Sequence, residues 1–134
     1  MLSEPLFQRK AITTCDDVCE LLKRLIGFRS LEALVAFYLD GRNRLICHEI
    51  IAEGDVSGAP FHNRSILLRA LERGATSLIL AHNHPSGDPQ PSAADRRVTY
   101  RLMEAARTLD LHLIDHLIVT ASGVTSMREL KVLQ

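Results

Sequence analysis

The first regular pattern along the chain is amphipathic. Residues 14–17 read Thr-Cys-Asp-Asp, which has the spacing of a helix capping box, and the apolar positions that follow recur at i, i+3, i+4 and i+7, as Val18, Leu21, Leu22 and Leu25. That period places the four side chains on one helical face, and Gly27 suits a helix C-terminus. The pattern predicts a first helix that ends near Gly27.

Two stretches typical of β-strands come next. Residues 32–40 and 44–52 are rich in Val, Ile, Phe, Tyr and Leu, and the sequence Asp-Gly-Arg-Asn at 40–43 separates them. Glycine and asparagine suit the backbone of a tight turn. We therefore expect a hairpin of two antiparallel strands.

Beyond the hairpin, helical and strand patterns alternate. We expect a loop at 54–60, a helix at 62–73 that stops at Gly74, a buried strand at 76–81, a helix at 92–110, a strand at 111–120 and a turn at 121–123 before a short last element. The inward positions of the two helices are predicted to be Ile66, Leu67, Ala70 and Leu71, and then Val98, Leu102, Ala105 and Leu109. This order predicts one α/β or α+β domain with helices flanking a mixed sheet.

Composition narrows the function classes. The 134 residues are 46% apolar and 24% charged, as in one globular domain. Sixteen basic residues balance sixteen acidic ones, so no overall positive field for nucleic acid is present. Three cysteines form no disulfide pattern, and no apolar run is long enough for a signal peptide or a membrane span. We expect a cytoplasmic protein that is not embedded in a membrane.

The stretch from Ala81 to Asp95 carries candidate metal ligands. His82 and His84 lie two residues apart, so both imidazoles project from one side if the strand continues through them. Asp95 lies three residues into the next helix, on the inward row, where an unpaired carboxylate would be costly. Two imidazoles and a carboxylate leave zinc one open position, as in catalytic sites, where zinc activates water and polarises a carbonyl.

Structural explanations exist for the same residues. Two such histidines are more often ordinary surface or core residues than ligands. Ser92 and Asp95 have the spacing of a capping box, and the prolines and Gly87 between them suit any rigid turn. We expect His62 and His116 to be structural or surface residues, and Cys47 to be a core thiol.

Activated water needs a proton acceptor, and the zincin sequence H-E-x-x-H is absent. Glu49 lies midway along the second predicted strand, which otherwise reads as buried. A carboxylate is anomalous there, so Glu49 is the leading candidate for the general base.

His82-x-His84, seven residues, Ser92, two residues and Asp95 match the JAMM signature of JAB/MPN-domain metalloproteins. The segments 80–89 (LAHNHPSGDP), 115–119 (DHLIV) and 43–46 (NRLI) resemble the bacterial RadC-like branch of that family. The resemblance runs from about Thr14 to Gln134, which predicts a tail at 1–13 and a RadC-like JAB domain at 14–134. Gly54-Asp55 departs from the family's usual Gly-Thr turn.

The resemblance implies an α-β-α sandwich with a cytidine-deaminase-like architecture. It also implies zinc held by His82, His84 and Asp95, Glu49 as general base, and Ser92 as a donor to the oxyanion. The expected function is zinc-dependent hydrolysis of peptide or isopeptide bonds, with a peptide or protein as substrate.

Other functions stay open from the sequence. One is a domain associated with DNA repair or with protein interaction, in which the metal is structural or catalysis is lost. The charge balance counts against DNA, as does a chain that begins essentially at the JAB domain. Non-haem iron oxygenases share the ligand set but usually have β-barrels, and zinc deaminases need a later cysteine pair. The substrate, the native metal and the oligomeric state are left open.

Overall fold

A five-stranded mixed sheet organises the protein. The structure, a computed structural model, describes residues 11, 16–54 and 60–133. The elements are α1 (Asp16–Ile26), β1 (Ala33–Leu39), β2 (Leu45–Glu53), α2 (Pro60–Glu72), β3 (Ser77–Asn83), α3 (Ala93–Thr108), β4 (His112–Thr120) and β5 (Gly123–Ser126). Of the predicted tail at 1–13, the structure describes Ala11 alone. Most of the predicted loop at 54–60 also lies outside the described residues, as do Thr14, Cys15 and Asp55.

The strands lie in the order β2-β1-β3-β4-β5. Strand β1 is antiparallel to both of its neighbours, β3 and β4 are parallel, and β5 returns antiparallel to β4. A parallel pair needs a crossover connection, and α3 is that crossover. A loop at 84–92 joins the N-terminus of α3 to the end of β3, where the two histidines lie.

The predicted hairpin is confirmed, and its turn is held by the Asp40 side chain. Asp40 Oδ1 accepts hydrogen bonds from the backbone N–H groups of Arg42 (2.9 Å) and Arg44 (3.0 Å). Asn43 has a φ of 56°, a left-handed conformation that asparagine tolerates better than most residues. The local sequence therefore specifies the reversal of the chain.

Helices cover both faces of the sheet, as predicted. On one face α1 packs through Val18, Leu22 and Ile26 against alternate residues of β1 and against β3 and β4. On the other face α2 and α3 pack through Ile66, Ala70, Leu102 and Ala106. The protein is therefore an α-β-α sandwich with a hydrophobic core on each side of the sheet. No helix in the described ranges is long and apolar enough to cross a bilayer.

Two of the predicted inward positions are wrong. Leu71 is 52% exposed, and Leu109, 42% exposed, lies just beyond the end of α3. The buried row of α3 consists of Asp95, Thr99, Leu102 and Ala106. The helix is turned so that the polar Asp95 and Thr99 face inward, because Asp95 finds partners at the end of β3 and Thr99 finds one in His116 of β4. The inward position of Asp95 was predicted, whereas apolar periodicity alone could not place the polar Thr99 inward.

The expectation that β2 is a buried strand is also wrong. β2 is an edge strand and most of its residues are only partly buried, whereas all of β1 and β3 is buried. A strand at the edge of a sheet has a neighbour on one side only, so its side chains keep contact with solvent. A carboxylate at Glu49 is therefore not anomalous in this position.

The exposure difference along α3 predicts a difference in stability. Leu102→Ala removes a fully buried side chain and should lower the free energy of unfolding by about 2–5 kcal/mol. Leu109→Ala is the matched control and should cost less than about 1 kcal/mol. Urea denaturation of both variants measures this, and equal costs would contradict the packing of α3.

Candidate metal centre

The end of β3 presents two imidazoles on one side of the chain. β3 ends at Asn83, but the N–H of His84 still donates to the carbonyl of Val119 on β4 at 2.9 Å. This bond extends the strand geometry by one residue. His82 and His84 therefore project in the same direction, as the spacing predicts, and their ring centroids lie 4.6 Å apart.

Asn83, between the two histidines, was not among the predicted site residues. Its buried side chain Oδ1 accepts from the N–H of Ala33 at 2.7 Å, and its Nδ2 donates to the carbonyls of Arg29 and Leu31. These bonds attach the end of β3 to the segment that leads into β1. A polar residue between two ligands on a buried strand is the signal that would have identified it.

Asp95 is brought to the histidines by the first turn of α3. Ser92 is the N-cap, its Oγ accepts from the N–H of Asp95 at 3.0 Å, and its own N–H donates to Asp95 Oδ2 at 2.7 Å. The predicted capping box is therefore present. It does not compete with the site, because it orients the carboxylate toward His82 and His84.

Asp95 is 6% exposed, and burial by itself would raise the pKa of its carboxyl group. The hydrogen bond and the charge interaction with His82, together with the hydrogen bonds from Ser92, outweigh burial. They hold the pKa of Asp95 well below its ordinary value. The site therefore contains a carboxylate, the form that binds a metal ion.

Donor atoms of three residues converge at this point. His82 Nε2 lies 2.8 Å from His84 Nε2 and 3.3 Å from Asp95 Oδ1, and His84 Nε2 lies 3.2 Å from Asp95 Oδ2. Ligands bound tetrahedrally to zinc at ordinary bond lengths are about 3.3 Å apart. Among the described residues, His82, His84 and Asp95 are the group whose donor atoms fit one ion.

The loop after β3 selects the ring nitrogen that His84 offers. His84 Nδ1 lies 2.8 Å from the backbone carbonyl of Asp88, which can only accept, so Nδ1 carries the hydrogen. In the neutral ring Nε2 then has a lone pair. Gly87, with a φ of 87° and its N–H bonded to the His84 carbonyl, provides the turn that brings Asp88 back. The loop after β3 therefore orients the His84 ring.

Glu49 lies outside this group. It pairs with Ala36 of β1, which pairs with Leu80 of β3, so Glu49 is on the same face as His82. Two strand spacings and two residues separate their Cα atoms, about 12 Å. Glu49 Oε1 faces Arg69 Nε of α2 at 3.6 Å, and Oε2 is buried without a hydrogen bond to any described residue.

His116 is buried, and it touches one of the candidate ligands. Its Nε2 lies 2.7 Å from His82 Nδ1. Burial lowers the pKa of His116 well below its ordinary value and the neighbouring His82 lowers it further, so the ring is neutral near pH 7. His62 is also buried, and Cys47 lies in the core as expected.

A change of register in β4 turns His116 toward the site. Leu78 pairs with Leu113, but Ile79 pairs with Asp115, so Ile114 is an extra residue. Leu113 and His116, three residues apart, therefore face the same side, which a regular strand does not allow. Such bulges redirect side chains, often beside functional sites. The alternating pattern of the sequence could not predict this contact.

Comparison with known proteins matches the chain to one family over most of its length. The family model described as the RadC-like JAB domain matches residues 12–132. A UPF0758 protein of Burkholderia cenocepacia is 44% identical over 126 residues, which cover 94% of this chain and 49% of that protein. One of Vibrio atlanticus is 39% identical over 128 residues, 96% of this chain and 57% of its own length.

A third UPF0758 protein, from Symbiobacterium thermophilum, is 40% identical over 112 residues, 84% of this chain and 48% of that protein. The chain thus spans about half the length of the curated relatives it matches. The names of these relatives state no activity. The match of the family model over nearly the whole chain nevertheless settles the family: the chain belongs to the RadC-like JAB domains.

Proposed function

We propose that this domain is a metal-dependent hydrolase of the JAMM type, with zinc as its ion and a peptide or isopeptide bond as its target. The convergence of His82 Nε2, His84 Nε2 and the Asp95 carboxylate carries the proposal. Two nitrogen donors and one oxygen donor form a three-residue set that leaves a fourth position open, as catalytic zinc sites do.

Zinc held by these residues would lower the pKa of a water molecule toward neutrality and polarise a substrate carbonyl. The protein contributes a rigid set of donors. Asp95 is oriented by Ser92, His84 by the Asp88 carbonyl, and His82 by His116. Partners of this kind fix ligand orientation and raise metal affinity.

Glu49 is the proposed general base. It lies on the same face of the sheet as His82, and its neighbour on β1 is Ala36, which pairs in turn with Leu80 of β3. Arg69 faces one carboxylate oxygen, while the other has no hydrogen-bond donor among the described residues. That second oxygen is available to take a proton from the attacking water and to return it to the leaving amine.

Ser92 is the proposed donor to the oxyanion. Its Oγ accepts the hydrogen bond of the capping box, and its own hydrogen, which also stabilises the Asp95 carboxylate, is the one assigned to the oxyanion during the reaction. The residue is exposed at the helix N-terminus, beside the ligand Asp95. Hydrogen-bond donors preset toward a developing negative charge are a large source of catalysis.

The proposal includes a peptide or protein substrate and a cytoplasmic location. A peptide or protein substrate suits the polarised carbonyl chemistry, and the zero net charge gives no support to DNA as the ligand. An odd number of cysteines without a disulfide pattern supports a cytoplasmic location.

Removing the anionic ligand should remove the metal. Asp95→Asn preserves size and an oxygen that can accept from the Ser92 N–H, but it loses the negative charge. We expect its zinc affinity, measured by competition with a chromogenic chelator, to fall by more than about 100-fold, beyond the usual effect of residues that only support ligands. Asp110→Asn, at an exposed left-handed position, is the control. Stoichiometric zinc at wild-type affinity in Asp95→Asn would refute the ligand set.

Glu49→Gln should separate binding from turnover. We expect zinc affinity to stay near that of the wild type, while hydrolysis of a panel of linear and branched peptides falls by about 10²–10⁴-fold, since the amide cannot accept the proton. Glu72→Gln is the matched control, because Glu72 also pairs with Arg69. Unchanged turnover in Glu49→Gln would remove Glu49 from the mechanism. No hydrolysis by the zinc-loaded wild type would refute the hydrolase.

Ser92→Ala tests two roles of one hydroxyl group. Loss of the N-cap should cost about 1 kcal/mol of folding free energy. Loss of the donor should also lower turnover by about 10²–10³-fold at a temperature where the variant is fully folded and loaded with zinc. Ser92→Thr retains the hydroxyl and should restore both. A loss of stability with normal turnover would show that Ser92 only caps the helix.

A further inference from the structure

Three exposed arginines lie where α2 and α3 meet. Asn63 of α2 donates through Nδ2 to the backbone carbonyl of Val98 of α3 at 3.2 Å, and this bond joins the two helices. Arg64 directly follows Asn63, and Arg97 directly precedes Val98. Arg101 lies one helical turn beyond Arg97. We call Arg64, Arg97 and Arg101 the arginine patch.

The arginine patch adjoins the candidate metal centre. Asn63 and Val98 line a small cavity together with His82 and Asp95. The junction of α2 and α3 therefore borders two of the three candidate ligands, and Arg97 is only two residues along α3 from Asp95. A peptide with one segment at the candidate metal centre can therefore place a neighbouring segment on the patch.

The charges of the patch are not matched within the part of the chain that the structure describes. No residue of the patch forms an ion pair with another described residue, whereas Arg29, Arg44 and Arg69 each do. The exposed acidic side chains of the same two helices are Glu72 and Glu104. Glu72 pairs with Arg69, and Glu104 forms no ion pair with the patch. The zero net charge of the chain thus includes a local excess of positive charge.

The type of basic residue indicates which group the patch binds. Every Lys or Arg position in α2 and α3 is arginine. The planar guanidinium group forms two parallel hydrogen bonds with a carboxylate, a geometry that lysine lacks. Phosphates offer the same chemistry, but nucleic acid presents a continuous row of them and is bound by many basic side chains. Glu72 and Glu104 interrupt the exposed surfaces of both helices, which favours a short row of carboxylates.

We propose that the arginine patch binds an acidic segment of a peptide or protein, whose Asp and Glu side chains pair with Arg64, Arg97 and Arg101. The segment lies beside the bond that the metal centre cleaves. This placement rests on the proposed function, whereas the binding of the segment does not. A preference for acidic substrates then comes from α2 and α3 rather than from the metal ligands.

Binding can be measured on the metal-free protein, without turnover. The probe is a short fluorescent peptide of alternating Glu and Gly, compared by anisotropy with the same peptide containing Gln in place of Glu. The acidic peptide should bind at least about 10-fold more tightly, and its affinity should fall as salt is raised. Equal affinity for the two peptides would overturn the proposal. So would tighter binding of a single-stranded oligonucleotide of equal charge, which would identify nucleic acid as the partner.

The double variant Arg97→Gln/Arg101→Gln tests whether the patch is the binding surface. Its affinity for the acidic peptide should fall by about 3–30-fold, the combined effect of two exposed ion pairs. Lys23→Gln/Arg24→Gln is the matched control, because it also removes two exposed charges but from α1, which covers the opposite face of the sheet. An equal loss in the two variants would show an effect of net charge alone and would contradict a local site.

Kinetics of the zinc-loaded protein separate this inference from the proposed function. For substrates with acidic residues beside the cleaved bond, KM should rise in Arg97→Gln/Arg101→Gln by about 3–30-fold, while kcat stays unchanged. Hydrolysis without any preference for acidic substrates would overturn the role of the patch and uphold the hydrolase. Binding of the acidic peptide by a protein that cleaves no peptide would uphold the patch and refute the hydrolase.

Discussion

The buried carboxylate of Asp95 is the constraint on which the structure of the site depends. A carboxylate removed from water is tolerated only with partners, and here both oxygens have them: His82 faces one, and the Ser92 N–H donates to the other. Those partners come from the end of β3 and from the start of α3. The helix must therefore dock with its first turn against the strand end, in one rotation, with Asp95 and Thr99 inward.

The same residues satisfy folding rules and ligand chemistry together. The capping box that starts α3 is also the device that aims Asp95, and the strand period that alternates side chains also pairs His82 with His84. The spacing of the signature therefore reflects backbone geometry as well as chemistry. A helix that begins elsewhere, or a strand that ends one residue earlier, would separate the ligands even with every ligand present.

Other residues of the sheet fix the positions of the candidate ligands. Asn83 fixes the strand end from the opposite face, and the bulge at Ile114 turns His116 to the back of His82. Glu49 stands apart on the edge strand, beside Arg69 of α2. The candidate ligands thus lie in a buried part of the protein, and the proposed base lies on an edge strand whose residues are mostly only partly buried.

The sequence by itself determined what depends on neighbours a few residues apart. The periods of the helices, the turn held by Asp40, the capping box and the two histidines on one side of β3 all follow from local geometry, and all are present. The sequence also identified the three residues whose donor atoms lie close enough together to hold one ion. Only the tertiary structure decided the rest: the exposure of Leu71 and Leu109, the edge position of β2, and the contact between His116 and His82 across 34 positions. Burial, strand order and register are set by pairing with distant residues, which a local pattern of apolar positions does not encode.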